Sequence, residues 1–141
     1  MTRIIAGEAR GRTIKVPAEG TRPTADRARE GLFSSLAARW GFAGSSVLDL
    51  FAGSGALGLE AASRGAEEIV LVESSADAVK IIRHNMGVVK HPGVRVQEMK
   101  VGTYLASAPR RHFDLVLADP PYAFDEVDEL IAAIEPVLSD N

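Results

Sequence analysis

The sequence contains no cysteine. Disulfides, thiolate zinc sites and cysteine nucleophiles are therefore excluded, and the composition suits a cytoplasmic setting. No run approaches the roughly 18 apolar residues of a transmembrane helix. The opening MTRIIAGEAR lacks the apolar core of a secretory leader. Histidine is scarce: His84, His91 and His112 share no metal-ligand spacing, so they read as surface residues and no metal is expected. Internal repeats and low-complexity segments are missing too. Positive charge is absent from the glycine-rich stretch DLFAGSGALG (49–58), where a phosphate binder would want a lysine or arginine.

What is present is a chain of 141 residues, enough for one domain with a real core. Its net charge of −3 is unevenly spread. The first 40 residues carry eight bases, Arg3, Arg10, Arg12, Lys15, Arg22, Arg27, Arg29 and Arg39, against four acids, an excess of four positive charges, and the remainder an excess of seven negative ones. A basic arm on an acidic body points to a polyanionic partner met at one end. Within that arm, Arg3–Ala6 and Arg12–Val16 are short β-like runs around GEARG, whose two glycines supply turn freedom. They predict a basic hairpin, followed by a linker over Ala18–Pro23. The expected organisation is thus a hairpin and linker over 1–23 and a larger domain over 24–141.

Beyond the linker a helix is expected from Thr24 or Ala25, with Thr24 as N-cap. Its apolar stripe is Ala28, Leu32 and Leu36, flanked by Phe33, Ala37 and Trp40. Strands and helices then alternate. Strands are predicted at Val47–Phe51, Ile69–Glu73, Val94–Glu98 and Phe113–Ala118. Helices are predicted at Leu57–Arg64, stopped by Gly65, at Ala76–Met86, capped by Ser74 or Ser75 and stopped by Gly87, at Gly102–Ser107 and at Asp125–Leu138. Repeated strand–helix units with apolar strands imply an α/β fold, a doubly wound, mostly parallel sheet. Four core strands leave an uncovered edge, so the fold is expected to be cut short at its C-terminal side.

Ligands bind such sheets at the carboxyl ends of the strands, and three motifs fall there. Gly53-x-Gly55-x-x-Gly58 lies between a strand and a helix, where bare backbone lets a ligand approach. Glu73 ends the next strand, twenty positions after Gly53, where a carboxylate can accept the hydroxyls of an adenosine ribose. Together they admit either a nicotinamide cofactor or S-adenosylmethionine. Asp49 helps decide, because an acid just before the glycine loop repels a pyrophosphate but suits an ammonium or a sulfonium. The third motif is Asp119-Pro120-Pro121-Tyr122. Two prolines end the strand and stiffen the loop beyond it. A flat substrate can stack on Tyr122, while the Pro120 carbonyl and the Asp119 carboxylate accept hydrogen bonds from an exocyclic amine. Such contacts aim the nitrogen lone pair at an activated methyl carbon, and catalysis becomes positioning plus electrostatics.

The combination of RIIAGEARGR, TRPTADRAREGLF, DLFAGSGALGLEAASRGA and DPPY resembles the RsmD-like family of bacterial 16S ribosomal RNA guanine-N2 methyltransferases. The resemblance spans essentially the whole chain. It implies a Rossmann-like class I methyltransferase fold and S-adenosyl-L-methionine as cofactor. It also implies methyl transfer to the exocyclic N2 of a guanine in small-subunit ribosomal RNA, met naked or within an assembling 30S particle; a monomer is the default expectation. By motif match, Asp49, Phe51, Ala52, Gly53, Ser54, Gly55, Glu73 and Ser74 fall on cofactor positions. Asp119, Pro120, Pro121 and Tyr122 fall on target-base positions, and Arg10, Arg12, Lys15 and Arg22 would touch RNA. The sequence departs from the family at Lys100, where relatives often carry Asp or Asn facing the adenine. That contact then passes to the backbone near Val101. The chain also ends before the family's final strands.

An adenine-N6 methyltransferase acting on DNA or RNA can use the same DPPY box, and the methylated nucleoside distinguishes the two. A protein-glutamine methyltransferase usually has Asn where this chain has Asp119. A nicotinamide oxidoreductase would share the glycine loop and Glu73 but has no use for DPPY. A non-catalytic RNA-binding module would need no intact cofactor motifs.

Overall fold

The computed structural model describes residues 2–16, 23–120 and 126–139, with residues 23–26 by backbone alone. Among the described residues twelve elements run in order: β1 (Thr2–Arg3), β2 (Thr13–Ile14), α1 (Pro23–Arg39), β3 (Ser46–Leu50), α2 (Ala56–Ser63), β4 (Glu68–Glu73), α3 (Ala76–Val89), β5 (Val94–Glu98), α4 (Val101–Ser107), β6 (Leu115–Ala118), α5 (Val127–Ile134) and a 3-10 turn over Glu135–Val137. β3 to β6 form a parallel sheet in the order β5-β4-β3-β6. The chain starts the sheet in the middle, winds outward through β4 and β5, then returns to the other side of β3. The strand order therefore reverses between β3 and β6, and a ligand crevice is expected at such a switch point.

Both faces of the sheet are covered, which explains the near-continuous apolar strands. Val47, Ile69 and Leu71 face one core with Leu59, Ile82 and Phe33, and Leu48, Leu50, Val70 and Val72 face the other with Val101, Phe113, Leu130 and Val137. Asp49 lies two residues after Val47, so it shares the face covered by α2. Its room comes from Gly58. A Cβ at Gly58 would lie 2.2 Å from Leu71 Cδ2 and 3.1 Å from Asp49 Oδ2. Gly58→Ala is expected to destabilise the protein by about 1–3 kcal/mol through overpacking. Gly87→Ala, on an open helix surface with nothing within 4 Å, should instead stabilise by roughly 0.5–1 kcal/mol. Urea denaturation of the two variants checks both signs.

The hairpin is shorter than its sequence suggests, pairing only Thr2 with Ile14 and Arg3 with Thr13. Tertiary contacts hold it. Ile4, Ala9 and Ile14 are fully buried in the α2–α3 core. Its turn docks on α2: the buried Glu60 accepts the Ile5 and Ala6 N–H groups at 2.8 and 3.1 Å, and the Ser63 hydroxyl accepts from Ala9 N–H and donates to the Ala6 carbonyl. Gly7 lies so close to the Ser63 carbonyl that a Cβ would sit 1.8 Å from it.

Several expectations need correction. α1 begins at Pro23 rather than at a Thr24 cap, because a proline at the first helical position sacrifices no hydrogen bond. Among its described side chains the buried ones are Arg29 and Phe33, while Leu32 and Trp40 are each 41 % exposed, so the stripe is rotated by one residue toward a buried cation. Arg29 is held by the Thr2 hydroxyl and the Arg3 carbonyl at the foot of the hairpin. α3 runs through Gly87 to Val89 and stops at Lys90, whose φ is 58°. The last strand starts at Leu115, Phe113 making only an isolated bridge to Leu138. α5 gives way at Glu135 to a 3-10 turn, since Pro136 removes a helical donor.

Candidate active site at the carboxyl edge of the sheet

β3 ends at Leu50, and Phe51 turns the chain with φ 57°, a conformation rare for a bulky residue. Gly53 and Gly55 come next at φ 60° and 83°. The turn is tied to the neighbouring strand: Ala52 N–H donates to the Val72 carbonyl at 3.0 Å, and Gly53 N–H donates to Glu73 Oε1 at 2.9 Å. Glu73 Oε2 accepts from Ser75 N–H at 2.9 Å. One carboxylate thus joins the glycine loop to the start of α3. Each of its oxygens keeps a lone pair for a hydroxyl donor.

Phe51, Val72, Glu73, Ser74, Lys100, Val101, Gly102 and Thr103 line a cleft of about 550 Å³. Its size suits a nucleoside. Lys100 is the residue just before α4, and it lines the cleft together with Val101, Gly102 and Thr103, the stretch where the sequence expects a backbone contact in place of a side-chain acceptor.

Asp49 is 1 % exposed. Its Oδ2 accepts from Gly58 N–H at 2.9 Å, whereas Oδ1 is buried without a hydrogen bond among the described residues. Burial is the main cause that raises its pKa from 3.8 to about 7. The Gly58 N–H opposes that rise, and the negative charges of Asp119 and Glu73 add to it. An unsatisfied buried oxygen of this kind costs on the order of 1–3 kcal/mol, and a cation or strong donor beside it would relieve that cost. Three carboxylates therefore converge where β3, β4 and β6 end. No group of acids and histidines among the described residues is arranged to hold a metal.

The sequence-predicted residues divide into four sets. Asp49, Phe51, Ala52, Gly53, Ser54, Gly55, Glu73, Ser74 and Val101 come together around the β3 and β4 ends. Asp119, exposed, and Pro120, half-buried, follow β6 across the switch point. Pro121, Tyr122 and Arg22 lie outside the described residues. Arg10, Arg12 and Lys15 ride on the hairpin, with exposed side chains.

Arg12 has a structural use that sequence reading missed. Its Nη1 donates to the Val88 and Val89 carbonyls, both at 3.1 Å, satisfying groups that a helix end leaves open. This explains how α3 outruns Gly87. Arg12→Ala should lower the melting temperature by about 3 °C, whereas Arg10→Ala should leave it nearly unchanged; differential scanning calorimetry checks the pair.

Two further residues escaped the sequence reading, Glu60 and Asn85. A carboxylate within the apolar helix ALGLEAAS was a legible signal. Asn85, on the polar-looking RHNMG segment, was not. It is 0 % exposed, and its amide bonds both the hairpin and the glycine loop.

The family model described as conserved hypothetical protein 95 matches residues 2–141. The ribosomal RNA small subunit methyltransferase D of Escherichia coli K12 is 40 % identical over 134 residues, covering 94 % of this chain and 66 % of that protein. Its Haemophilus influenzae namesake is 35 % identical over 136 residues, covering 94 % and 69 %. The chain thus spans about two thirds of the length of these relatives. Among solved structures, the E. coli protein yhhF superposes with a TM-score of 0.85 at 38 % identity, covering 98 % of this chain and 74 % of that one. A precorrin-6Y C5,15-methyltransferase from Geobacter metallireducens shares the fold alone, with a TM-score of 0.72 at 20 % identity, covering 89 % and 63 %. The sheet order, the glycine loop and these matches agree: the chain has the Rossmann-like class I methyltransferase fold and belongs to the conserved hypothetical protein 95 family, the RsmD-like family whose motifs it carries.

Proposed function

We propose that this protein transfers a methyl group from S-adenosylmethionine to the exocyclic N2 of a guanine in 16S ribosomal RNA. The observation that carries the cofactor assignment is the orphaned, buried Oδ1 of Asp49 near the strand end where Glu73 lines a cleft of nucleoside size. Glu73 would hold the ribose hydroxyls, the backbone from Val101 would face the adenine, and Asp49 would meet the cationic end. When bound, the cofactor supplies a methyl group already activated by its sulfonium.

The chain's own residues then have three tasks. The loop from Phe51 to Gly55 holds the cofactor end of the cleft in one shape, pinned by Glu73. Asp119 and the Pro120 carbonyl would accept hydrogen bonds from the two N–H groups of the target amine and fix the direction of its lone pair; as the N–C bond forms and the sulfonium S–C bond breaks, one proton leaves the nitrogen to Asp119 or to water. The Asp119 carboxylate also favours the positive charge that develops on that nitrogen. Turning the guanine out of its stack lets it reach this edge. Lys15 and Arg10 would contribute phosphate contacts, which position RNA without reading its sequence.

Ribosomal RNA as substrate rests on relatives whose names say so; N2 of guanine rests on the family resemblance of the motifs. The test is to incubate the protein with labelled S-adenosylmethionine and small subunits lacking native methylation, then digest the RNA and identify the labelled nucleoside. N2-methylguanosine is the expected product. N6-methyladenosine would keep fold and cofactor but overturn the substrate.

A further inference from the structure

Asn85 lies on α3 and is itself none of the predicted cofactor or target-base residues, yet it is fully buried and its amide is bonded to two distant segments. Its Oδ1 accepts from Lys15 N–H at 2.8 Å, and its Nδ2 donates to the Lys15 carbonyl at 2.8 Å and to the Ser54 carbonyl at 2.9 Å. Ser54 sits between the two left-handed glycines of the loop. Lys15 is the last basic residue of the hairpin, directly after β2. A primary amide has one acceptor oxygen and two N–H donors. Both of Asn85's ends are used, so the side chain ties the exit of the hairpin to the middle of the glycine loop.

The rest of the hairpin is held elsewhere, its turn by Glu60 and Ser63 and its Arg12 by the end of α3. Lys15 is therefore the point at which the hairpin can respond to the loop. A buried hydrogen bond with one partner displaced leaves an unsatisfied group, which is costly. Loop and hairpin exit consequently share one low-energy arrangement. A ligand that orders the loop orders the hairpin exit as well.

We propose that Asn85 is a positioning residue that couples cofactor binding to the RNA-facing hairpin. The two ligands then bind with positive, reciprocal cooperativity. The proposal rests on the cofactor and RNA reading above. It also accounts for a feature that reading leaves unused, a buried asparagine spanning 31 residues to Ser54 and 70 to Lys15.

The test measures amide hydrogen exchange at Lys15, whose N–H is bonded to Asn85, with and without S-adenosylhomocysteine. Filter binding of protein-free small-subunit ribosomal RNA is run under the same two conditions. The parent should show slower Lys15 exchange with the ligand and RNA affinity raised about 5-fold or more, within the usual range of such couplings. Asn85→Asp, an isosteric change that keeps the acceptor but loses both donors, should bring that factor close to one. Asp114→Ala serves as a control for general destabilisation. Asp114 bonds Ser46 and Ser139 near the amino ends of the strands, so this variant should keep the coupling. Ligand binding that protects Gly53 and Gly55 but not Lys15 in the parent overturns the coupling and leaves the cofactor reading standing. Unchanged coupling in Asn85→Asp also overturns it. No binding of S-adenosylhomocysteine overturns the cofactor reading and the coupling with it.

Discussion

Asp49→Asn is expected to weaken S-adenosylhomocysteine binding by about 10- to 100-fold while leaving the protein folded and, at pH 8, at least as stable as the parent. The affinity loss comes from removing a charge partner for the ligand ammonium, since a hydrogen bond to a charged group contributes about 1.5–3 kcal/mol. The stability gain comes from the sign of the Asp49 shift. Its folded pKa of about 7 lies above the unfolded 3.8. Between those values the folded state binds the extra proton, so this group's contribution to stability falls as pH rises through the window and levels off above it. At 1.36 kcal/mol per unit the full penalty is on the order of 4 kcal/mol at pH 8. Asparagine keeps an acceptor for the Gly58 N–H and carries no such titration. The stability gap between variant and parent should therefore shrink toward pH 5. For the parent, ligand affinity should rise about tenfold per pH unit up to about pH 7 and then flatten, as a cation selects the ionised carboxylate. Isothermal titration calorimetry from mildly acidic to mildly basic pH measures both curves. A pH-independent affinity in the parent, or full affinity in the variant, would remove Asp49 from the cofactor site.

The second large effect is expected at Asp119. Asp119→Ala should cut methyl transfer by about 100- to 1000-fold, the scale seen when one preorganised electrostatic partner is removed. S-adenosylhomocysteine affinity should hold or improve slightly at pH 7. The improvement has a specific cause: the Asp119 charge is one of those that push the Asp49 pKa up, so its loss leaves more Asp49 ionised. A single-turnover assay together with calorimetry separates the two quantities. A parallel loss of cofactor affinity and rate would mean that Asp119 holds the cofactor rather than the target amine.

Most of the architecture was legible because doubly wound folds repeat one simple pattern. β3, β4, β5 and β6 each fall within one or two residues of their predicted spans, since strands buried on both faces are unbroken apolar runs flanked by turn residues. Helix ends were less legible. Gly87 read as a stop, yet the helix continued, because the guanidinium of Arg12, 76 and 77 residues away in sequence from the carbonyls it meets, satisfies the last turn. α1's apolar residues suggested a stripe through Leu32, but a buried Arg29 takes that face. Side-chain pattern alone gives no sign that a cation will find partners at Thr2 and Arg3.

The candidate site divides in the same way. Glycine spacing, an acid at the end of each of two successive strands and a Pro-Pro strand terminator are local facts, and the sequence alone determined them. They were enough to assign the fold, the edge of the sheet where ligands belong and the chemistry an acidic pocket prefers. The tertiary structure decided which atoms are buried and which lack partners. Only folding places Oδ1 of Asp49 out of water with no donor among the described residues, and only folding brings the charges of Asp119 and Glu73 close enough to push the Asp49 pKa up. It also decided that the basic hairpin is locked into the α2–α3 core, and that Asn85 joins its last lysine to the glycine loop. The physical reason is range. Backbone conformation and strand burial are set by neighbours in sequence, whereas desolvation, charge coupling and the saturation of a buried amide depend on groups that meet only when distant segments pack together.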